Sequence, residues 1–225
     1  MSAKTERAEK TATFIHGLYC ITAEPFSKGR NNIDVVRDML AGGAKVVQYR
    51  EKDMPMQRQY AQCQTLRDMT REAGALFVID DHVDLAMAVG ADCIHIGQTD
   101  LPIEAVRALV GEDMLIGLST HNIGQARDAV ARGADYIGVG PIFETHTKAD
   151  VSAPVGFSYL DEVVREISLP FVAIGGIKKH NLSTVLSHGA TCAALVTEIV
   201  QTSDIAGIVK DLRSIFSDSE KPEGK

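Results

Sequence analysis

A repeated pattern limits the folds open to this chain. The segments AGGAKVVQY, AVGADCIHI, ARGADYIGV and SHGATCAAL each place Gly-Ala at a helix end, directly before a short apolar strand. The rest of the chain alternates in the same way, which gives eight predicted strands and eight predicted helices. Strands joined through helices run parallel with right-handed crossovers. The pattern predicts an α/β fold, a single (β/α)8 TIM barrel, with an open doubly wound sheet as the alternative.

Composition and charge exclude several classes of protein. The chain has 225 residues, of which 45% are hydrophobic, enough for a sizeable core. It contains no apolar run of the roughly 18 residues that a membrane helix needs. A net charge of −7 without a basic block argues against nucleic acid and anionic membranes as partners. We therefore expect a soluble, cytoplasmic protein that acts on small molecules. The sequence is compatible with a monomer or a homo-oligomer.

The termini are expected to lie outside the barrel. Residues 1–13 lack the apolar stretch of a signal peptide and are predicted to be a disordered extension. Residues 14–216 are predicted to form the catalytic barrel, and residues 217–225 a flexible tail. The four cysteines show no CxxC spacing and mostly lie in apolar strands, so core packing is favoured over metal or disulfide roles.

In a barrel, functional groups lie on the loops that follow the strands. After the second strand, Gln48, Arg50 and Lys52 alternate with Tyr49 and Glu51. While the chain stays extended, the first set points one way, so two cations and an amide converge on the barrel mouth. This arrangement suits a diphosphate. The alternative is a strand that ends in a solvated, charged loop.

Acidic residues follow the third and fourth strands. Asp80, Asp81 and Asp84 surround the end of the third strand, and Asp100 follows the fourth. Carboxylates at adjacent strand ends suit Mg²⁺ that is held jointly by protein, water and a phosphorylated substrate. For Asp80 or Asp81 alone, capping of the following helix is the simpler interpretation. A second acidic strand end beside QYREK favours metal binding over helix capping.

Three further strand ends carry polar or glycine-rich clusters. Ser119, Thr120 and His121 end the fifth strand, where a hydroxyl could also cap the next helix. The long loop after the sixth strand contains Thr145, Thr147 and Lys148, and is predicted to be a lid that touches phosphate. The segments AIGGI and LVTEI end the last two strands, and such loops form the usual phosphate site of this fold.

Taken together, these segments resemble the thiamine phosphate synthase family. The resemblance covers residues 18–200 and rests on VQYREK, IDDHVDLAMAVGAD, IHIGQTDLP, IGLSTH, GADYIGVGPIFETHTK and FVAIGGI in that order. The family joins 4-amino-5-hydroxymethyl-2-methylpyrimidine diphosphate to a thiazole phosphate, releasing pyrophosphate and forming thiamine phosphate. The resemblance implies that reaction here, with Mg²⁺ as cofactor.

The resemblance also implies roles for individual residues. Substrate-binding positions would be Gln48, Tyr49, Arg50, Glu51, Lys52, Asp80, Ser119, Thr145, Thr147, Lys148, Gly176, Val196 and Thr197. Within this set the pyrimidine diphosphate would be served by Gln48, Arg50, Lys52, Asp80, Ser119 and Lys148. The thiazole phosphate site would be lined by Thr145, Thr147, Gly176, Val196 and Thr197. The catalytic group would be Arg50, Lys52, Ser119 and Lys148, and the metal ligands Asp81 and Asp100.

The chain departs from the family at three positions. Asp80 and His82 stand where the family usually has Asn and Arg, and Thr197 stands where serine is common. An ionised Asp80 can only accept hydrogen bonds, and His82 removes a permanent cation. Two alternatives stay open: a related thiazole tautomerase with a histidine such as His121 as base, or a non-catalytic barrel that binds a phosphorylated ligand.

Overall fold

The computed structural model describes residues 2–147 and 153–219, and its centre is a closed parallel barrel in the order β1 to β8. The strands are β1 (Gly17–Ile21), β2 (Val46–Tyr49), β3 (Leu76–Asp80), β4 (Cys93–Ile96), β5 (Leu115–Thr120), β6 (Tyr136–Val139), β7 (Phe171–Ile174) and β8 (Cys192–Leu195). Each strand pairs with the next, and β1 pairs in parallel with β8 through Gly17 opposite Cys192. The predicted TIM barrel is confirmed, and the open sheet is excluded.

The helices are α1 (Ala3–Phe14), α2 (Asn32–Ala41), α3 (Met56–Glu72), α4 (Val83–Val89), α5 (Ile103–Val110), α6 (Ile123–Arg132), α7 (Gly156–Glu166), α8 (Lys179–Ser187), α9 (Thr197–Val200) and α10 (Ile205–Ser219). A short 3-10 helix, Glu24–Phe26, follows β1. Within the described ranges, α1 and α9 are the two α-helices that the sequence analysis did not predict. None of the helices in residues 2–147 and 153–219 is long and apolar enough to cross a membrane.

The Gly-Ala repeat has one structural cause. Its glycines, at positions 43, 90, 133 and 189, all have positive φ, between 62° and 91°. This left-handed conformation ends a helix at little cost only when the residue lacks a Cβ atom. The alanine that follows each glycine is buried against the barrel. The repeat is therefore the turn that directs a helix into the next strand.

Each strand separates two apolar layers, because successive side chains point alternately into the barrel and outward to the helices. Tyr19, Val78, Leu115 and Tyr136 belong to the inner cluster. A larger cluster joins the outer faces of the strands to the helices. The predicted packing role of the cysteines is confirmed, since all four are free and buried. Burial raises the pKa of the Cys20 thiol to about 12, so that group stays protonated near neutral pH.

The N-terminal segment is helical, which corrects the expectation that residues 1–13 form a disordered extension. Arg7 Nε donates to Asp135 Oδ1 at 2.9 Å, and Arg7 Nη1 donates to Glu112 Oε2 at 2.7 Å. Lys10 Nζ donates to Asp92 Oδ1 at 3.0 Å. Asp92 and Asp135 immediately precede β4 and β6, so α1 covers the amino-terminal end of the barrel. Ion pairs rather than apolar periodicity fix this helix, which explains why the sequence pattern missed it.

The C-terminal helix packs against the start of the barrel. Val209 and Leu212 of α10 are fully buried, and α10 contacts α2 and β1. The helix continues to Ser219, past the predicted barrel boundary at residue 216. The remainder of the predicted tail, residues 220–225, lies outside the described residues.

Candidate active site

The carboxyl end of β2 divides its side chains between two sides, as the alternation predicted. Gln48 Nε2 donates to the Tyr19 hydroxyl at 3.0 Å inside the barrel. Arg50 Nε lies 3.5 Å from Asp80 Oδ2, and Lys52 Nζ lies 3.2 Å from the same oxygen. The two cations and a carboxylate therefore meet at the mouth, and the Gln48 amide lies inside the barrel below them.

Tyr49 and Glu51 point the other way, toward the helical layer, and their role in substrate binding stays a prediction. The Tyr49 hydroxyl donates to Gln62 Oε1 at 2.9 Å, between β2 and α3. Glu51 Oε1 accepts from the Glu24 N–H and from Asn32 Nδ2, both at 2.9 Å. Burial, the largest cause, raises the pKa of Glu51 from 4.5, although these two hydrogen bonds oppose the shift. Both side chains brace the QYREK segment from the helical side.

Asp80 is a buried carboxylate between two cations. Its side chain is 4% exposed, whereas that of Lys52 is 43% exposed. Oδ2 of Asp80 and Nε of Arg50 lack a well-aligned hydrogen bond, so their attraction is ionic rather than directional. A carboxylate in this position offsets part of the positive charge that Arg50 and Lys52 present at the mouth.

Asp81 occupies a strained turn that directs its side chain toward the mouth. Its φ of 62° is in the left-handed region, where non-glycine residues are uncommon but Asp and Asn are tolerated. The Asp81 N–H donates to the His95 carbonyl oxygen at 2.8 Å, which fixes the turn to β4. Oδ2 of Asp81 contacts Nζ of Lys52. The carboxylate is therefore held beside the QYREK cations.

Asp100 lies in the loop after β4, the strand next to β3. Its Oδ2 accepts from the Gly97 N–H at 2.7 Å, so the side chain is held within its own loop. In the described part of the chain, no group of three or more His, Cys, Asp or Glu side chains is arranged for a metal ion. Two carboxylates at neighbouring strand ends still fit Mg²⁺, which keeps several waters and takes the rest of its ligands from phosphate. The donor set thus fits an ion shared with substrate.

A chain of polar side chains crosses the barrel below the mouth. Gln48 contacts Tyr19, and the Tyr19 hydroxyl lies 3.1 Å from that of Tyr136. The Tyr136 hydroxyl lies 3.0 Å from His95 Nδ1, and His95 Nε2 lies 2.9 Å from Ser119 Oγ. The two ends of this chain, Gln48 and Ser119, are residues that the sequence analysis assigned to the pyrimidine substrate. The three residues between them were not predicted.

His121, the candidate base of the tautomerase alternative, is held by its neighbours. Its Nδ1 lies 2.6 Å from the Gly140 carbonyl oxygen, so Nδ1 carries a proton that it donates. The His121 N–H donates to Gln125 Oε1 at 2.8 Å, at the start of α6. These contacts orient the ring next to the β6 loop.

The ends of β7 and β8 form a second polar region. Gly176 has φ of 65°, and a Cβ atom there would lie 2.5 Å from the Glu144 carbonyl oxygen. Lys178 Nζ donates to Oγ1 of Thr197, the first residue of α9, at 2.5 Å. Val196 precedes Thr197 and packs between the two apolar clusters. A lysine, a hydroxyl and a close backbone turn are therefore adjacent, as an anion site requires.

Lys178 was missed by the sequence analysis. The signal that could have identified it is its position, two residues after the glycine pair of AIGGI. Thr145 and Thr147, in the loop after β6, lie with their hydroxyl oxygens 3.2 Å apart. Lys148, assigned to the diphosphate, lies outside the described residues.

Comparisons with known proteins identify the family of this chain. A family model described as thiamine monophosphate synthase matches residues 18–199. A thiamine-phosphate synthase from Pelotomaculum thermopropionicum is 58% identical over 203 residues, which are 90% of this chain and 93% of the relative. One from Caldicellulosiruptor saccharolyticus is 47% identical over 206 residues, with 92% and 93% covered.

A solved structure of the same family is also similar to this chain. Thiamine phosphate pyrophosphorylase from Pyrococcus furiosus has a TM-score of 0.84 and 34% sequence identity to this chain, covering 92% of this chain and 98% of that one. The resemblance found in the sequence is confirmed by sequence and structure together. This chain therefore belongs to the thiamine monophosphate synthase family and is a transferase of thiamine biosynthesis.

Proposed function

We propose that this protein condenses 4-amino-5-hydroxymethyl-2-methylpyrimidine diphosphate with 4-methyl-5-(2-phosphoethyl)thiazole to give thiamine phosphate and pyrophosphate. With the 2-carboxy form of the thiazole, CO₂ is released as well. One observation carries the assignment. Lys52 contacts Asp81 and lies with Arg50 around Asp80, so cations and a candidate metal ligand meet at the ends of β2 and β3. A substitution that releases pyrophosphate needs this combination of charges.

The two substrates would occupy different parts of the mouth. Gln48, Arg50 and Lys52 would hold the pyrimidine diphosphate, Ser119 would face the ring, and Lys148 would close over the leaving group. Thr145, Thr147, Gly176, Val196 and Thr197 would line the thiazole phosphate site, and Lys178 joins them because it contacts Thr197. The partners of this protein are accordingly small molecules, and a cytoplasmic location is proposed with them.

Asp81 and Asp100 would hold Mg²⁺. Each carboxylate also makes a protein contact through Oδ2, Asp81 to Lys52 and Asp100 to the Gly97 N–H. The bound ion would supply neutralisation of the negative charge that develops on the departing pyrophosphate. The contact with Lys52 orients the Asp81 carboxylate before substrate arrives.

The reaction would follow a dissociative course. Arg50 and Lys52 stabilise the departing pyrophosphate, and the bond between the pyrimidine methylene carbon and the diphosphate oxygen breaks with both electrons going to oxygen. The thiazole nitrogen then donates its electron pair to the resulting carbon cation. This nitrogen carries no proton, so no general base is required. His121, with Nδ1 bound to the Gly140 carbonyl oxygen, would be a structural residue.

Pyrophosphate release from the two purified substrates, with and without Mg²⁺, tests the proposal. We expect release only when both substrates and Mg²⁺ are present. A thiazole tautomerase would change the thiazole without releasing pyrophosphate, and a non-catalytic barrel would bind a phosphorylated ligand without turnover. Either of those results would refute the condensation. A reaction mixture without thiazole phosphate is the control for simple diphosphate hydrolysis.

A further inference from the structure

The loop after β6 is joined to β7 at its base. The Ile142 N–H donates to the Ile174 carbonyl oxygen at 2.9 Å, and the Phe143 N–H donates to the Gly175 carbonyl oxygen at 3.0 Å. Gly176 lies close to this segment, because a Cβ atom there would lie 2.7 Å from Phe143 Cβ. The position of Phe143 therefore sets where the next residues of the loop lie relative to the glycine pair.

Three rings connect this loop to two helices, and we call Phe143, Phe157 and His188 the aromatic stack. The Phe143 and Phe157 rings meet edge to face, with centroids 5.5 Å apart and planes at 87°. The Phe157 ring and the imidazole of His188 are parallel within 7°, with centroids 4.0 Å apart. Such ring contacts add to the free energy gained from burial. The stack therefore links the loop after β6 to the start of α7 and the end of α8.

One face of α7 holds the imidazole ring. Phe157 and Asp161 are four residues apart, so their side chains lie on the same face of the helix. An ionised carboxylate only accepts, so His188 Nδ1 donates to Asp161 Oδ1 at 2.7 Å while Phe157 covers the ring. His188 caps the end of α8, and a Cβ atom at the next residue, Gly189, would lie 3.0 Å from Val164 Cγ1 of α7. A hydrogen bond, a ring contact and a close helix approach thus fix the imidazole.

Resting on the proposed function, we propose that Phe157 and His188 are positioning residues for the thiazole phosphate site. They hold the Phe143 ring, and through it the backbone that leads to Thr145 and Thr147 beside the glycine pair. Phe143 and Phe157 both pack against the outer apolar cluster, so the stack acts through the loop and not by touching substrate.

The stack affects binding because it orders the loop in advance. A segment that is already in place binds its ligand more tightly than one that must be ordered on binding. Without His188, the Phe157 ring loses the surface that it lies against, and the Phe143 ring loses a fixed partner. If the stack contributed only packing, its loss would lower the melting temperature and leave the affinity of the folded protein unchanged.

Amide hydrogen exchange tests the positioning directly and needs no substrate. The Phe143 amide is followed by NMR, because its N–H is bonded to the Gly175 carbonyl oxygen. We expect this amide to exchange about tenfold faster in His188→Ala than in the wild type. His188→Phe keeps an aromatic ring and should restore the rate to within about twofold. An unchanged rate in His188→Ala would overturn the proposal.

Calorimetry tests the consequence for binding. We expect His188→Ala to raise Kd for the thiazole phosphate by about tenfold. Kd for the pyrimidine diphosphate should change by less than about threefold, because Arg50 and Lys52 follow β2 and only the proposed contact of Lys148 belongs to this loop. Equal factors for the two substrates, including no change for either, would overturn the proposal.

Two further variants control this measurement. Val164→Ala removes the packing against Gly189 and keeps all three rings, so both Kd values should stay at the wild-type level. Phe157→Leu removes the middle ring and keeps an apolar side chain, so it should weaken thiazole phosphate binding as His188→Ala does. It replaces His188→Ala if that variant does not fold. A wild-type Kd in folded Phe157→Leu would refute the positioning role.

These measurements separate the inference from the proposed function. A wild-type protein that binds the thiazole phosphate and releases no pyrophosphate contradicts the proposed function, whereas the comparison of Kd values still decides the positioning role. A wild-type protein that releases pyrophosphate, with a Kd for the thiazole phosphate equal to that of His188→Ala, supports the reaction and refutes the positioning role.

Discussion

The ammonium group of Lys52 lies 3.2 Å from Oδ2 of Asp80, a carboxylate whose side chain is 4% exposed. Arg50 Nε lies 3.5 Å from the same oxygen. A diphosphate that binds here must compete with a fixed protein carboxylate for both cations. The Asp80 carboxylate thus acts directly on the proposed diphosphate site.

Asp80→Asn tests this competition. The amide keeps the size of the side chain and removes its negative charge, so we expect kcat/KM for the pyrimidine diphosphate to be retained or raised, by up to about tenfold. Steady-state pyrophosphate release measures it. Asp84→Asn, an exposed site in the first turn of α4, is the control for a general loss of negative charge. Complete loss of activity in Asp80→Asn would show that the charge itself is required.

Asp81→Asn tests the metal assignment without disturbing the backbone. Asparagine tolerates the φ of 62° at this position, whereas alanine adds a strain of about 1 kcal/mol. We expect Asp81→Asn to keep its melting temperature and to lose turnover by about 100-fold, with a higher Mg²⁺ requirement. Pyrophosphate release across a Mg²⁺ titration measures both effects. Undiminished turnover at the wild-type Mg²⁺ midpoint would contradict the assignment.

Lys178→Met tests the second anion site. Removing the ammonium group that contacts Thr197 should raise KM for the thiazole phosphate by about tenfold and leave KM for the pyrimidine diphosphate unchanged. Lys179→Met is the matched control, because Lys179 Nζ instead donates to Asp211 Oδ2 at 2.7 Å on the surface. Equal effects of the two substitutions would show that Lys178 contributes only general charge.

Glu51→Gln tests whether Glu51 stabilises the fold from the side of the helices or binds substrate. The folded-state pKa of Glu51 is raised above 4.5, so the folded protein binds this proton more tightly than the unfolded chain. The free energy of unfolding of the wild type therefore falls as pH rises from about 4.5 through the raised pKa, and we expect Glu51→Gln to remove this part of the pH dependence.

Chemical denaturation between about pH 4 and pH 8 measures that difference. The glutamine can still accept from the Glu24 N–H and from Asn32, so kcat/KM should stay within about twofold of the wild-type value. Glu51→Ala, which removes the acceptor, should lower the free energy of unfolding by about 1–3 kcal/mol. A large rise in KM for Glu51→Gln would return Glu51 to the substrate site.

Arg7→Met tests the role of α1. The substitution keeps most of the aliphatic stem but leaves Asp135 and Glu112 without this cation, so we expect a loss of about 2 kcal/mol in the free energy of unfolding. Activity at moderate temperature should persist, because α1 lies at the end of the barrel opposite the mouth. Lys4→Met, an exposed position on the same helix, is the control. Equal melting temperatures for both variants would contradict a stabilising role for α1.

The barrel could be predicted from the sequence because the patterns that define its helices and strands involve only neighbouring residues. A glycine that ends a helix and the buried alanine after it, as at Gly90 and Ala91, recur before alternate strands and need no knowledge of distant residues. The inward direction of Gln48 was equally local, since it follows from the period of two in a strand. The apolar runs supplied the remaining strands in the same way.

Contacts between distant residues could not be predicted. Arg7 finds its partners 105 and 128 positions away, so its helix showed no recognisable pattern. Tyr136 and His95 meet across the barrel because Gly117 leaves room for them, and nothing near either residue indicates this contact. The sequence therefore located the strand ends that carry polar groups but not the network that joins them.

The opposed directions of neighbouring side chains in QYREK limit how this enzyme can change during evolution. Substitution can alter one side at a time, because Gln48 and Tyr49 face different surroundings. Deletion of a single residue from β2 would exchange the two sides, turning the basic groups into the helical layer and a tyrosine into the cavity. Length changes in descendants of this chain should therefore accumulate in the connecting loops, while β2 keeps a constant number of residues.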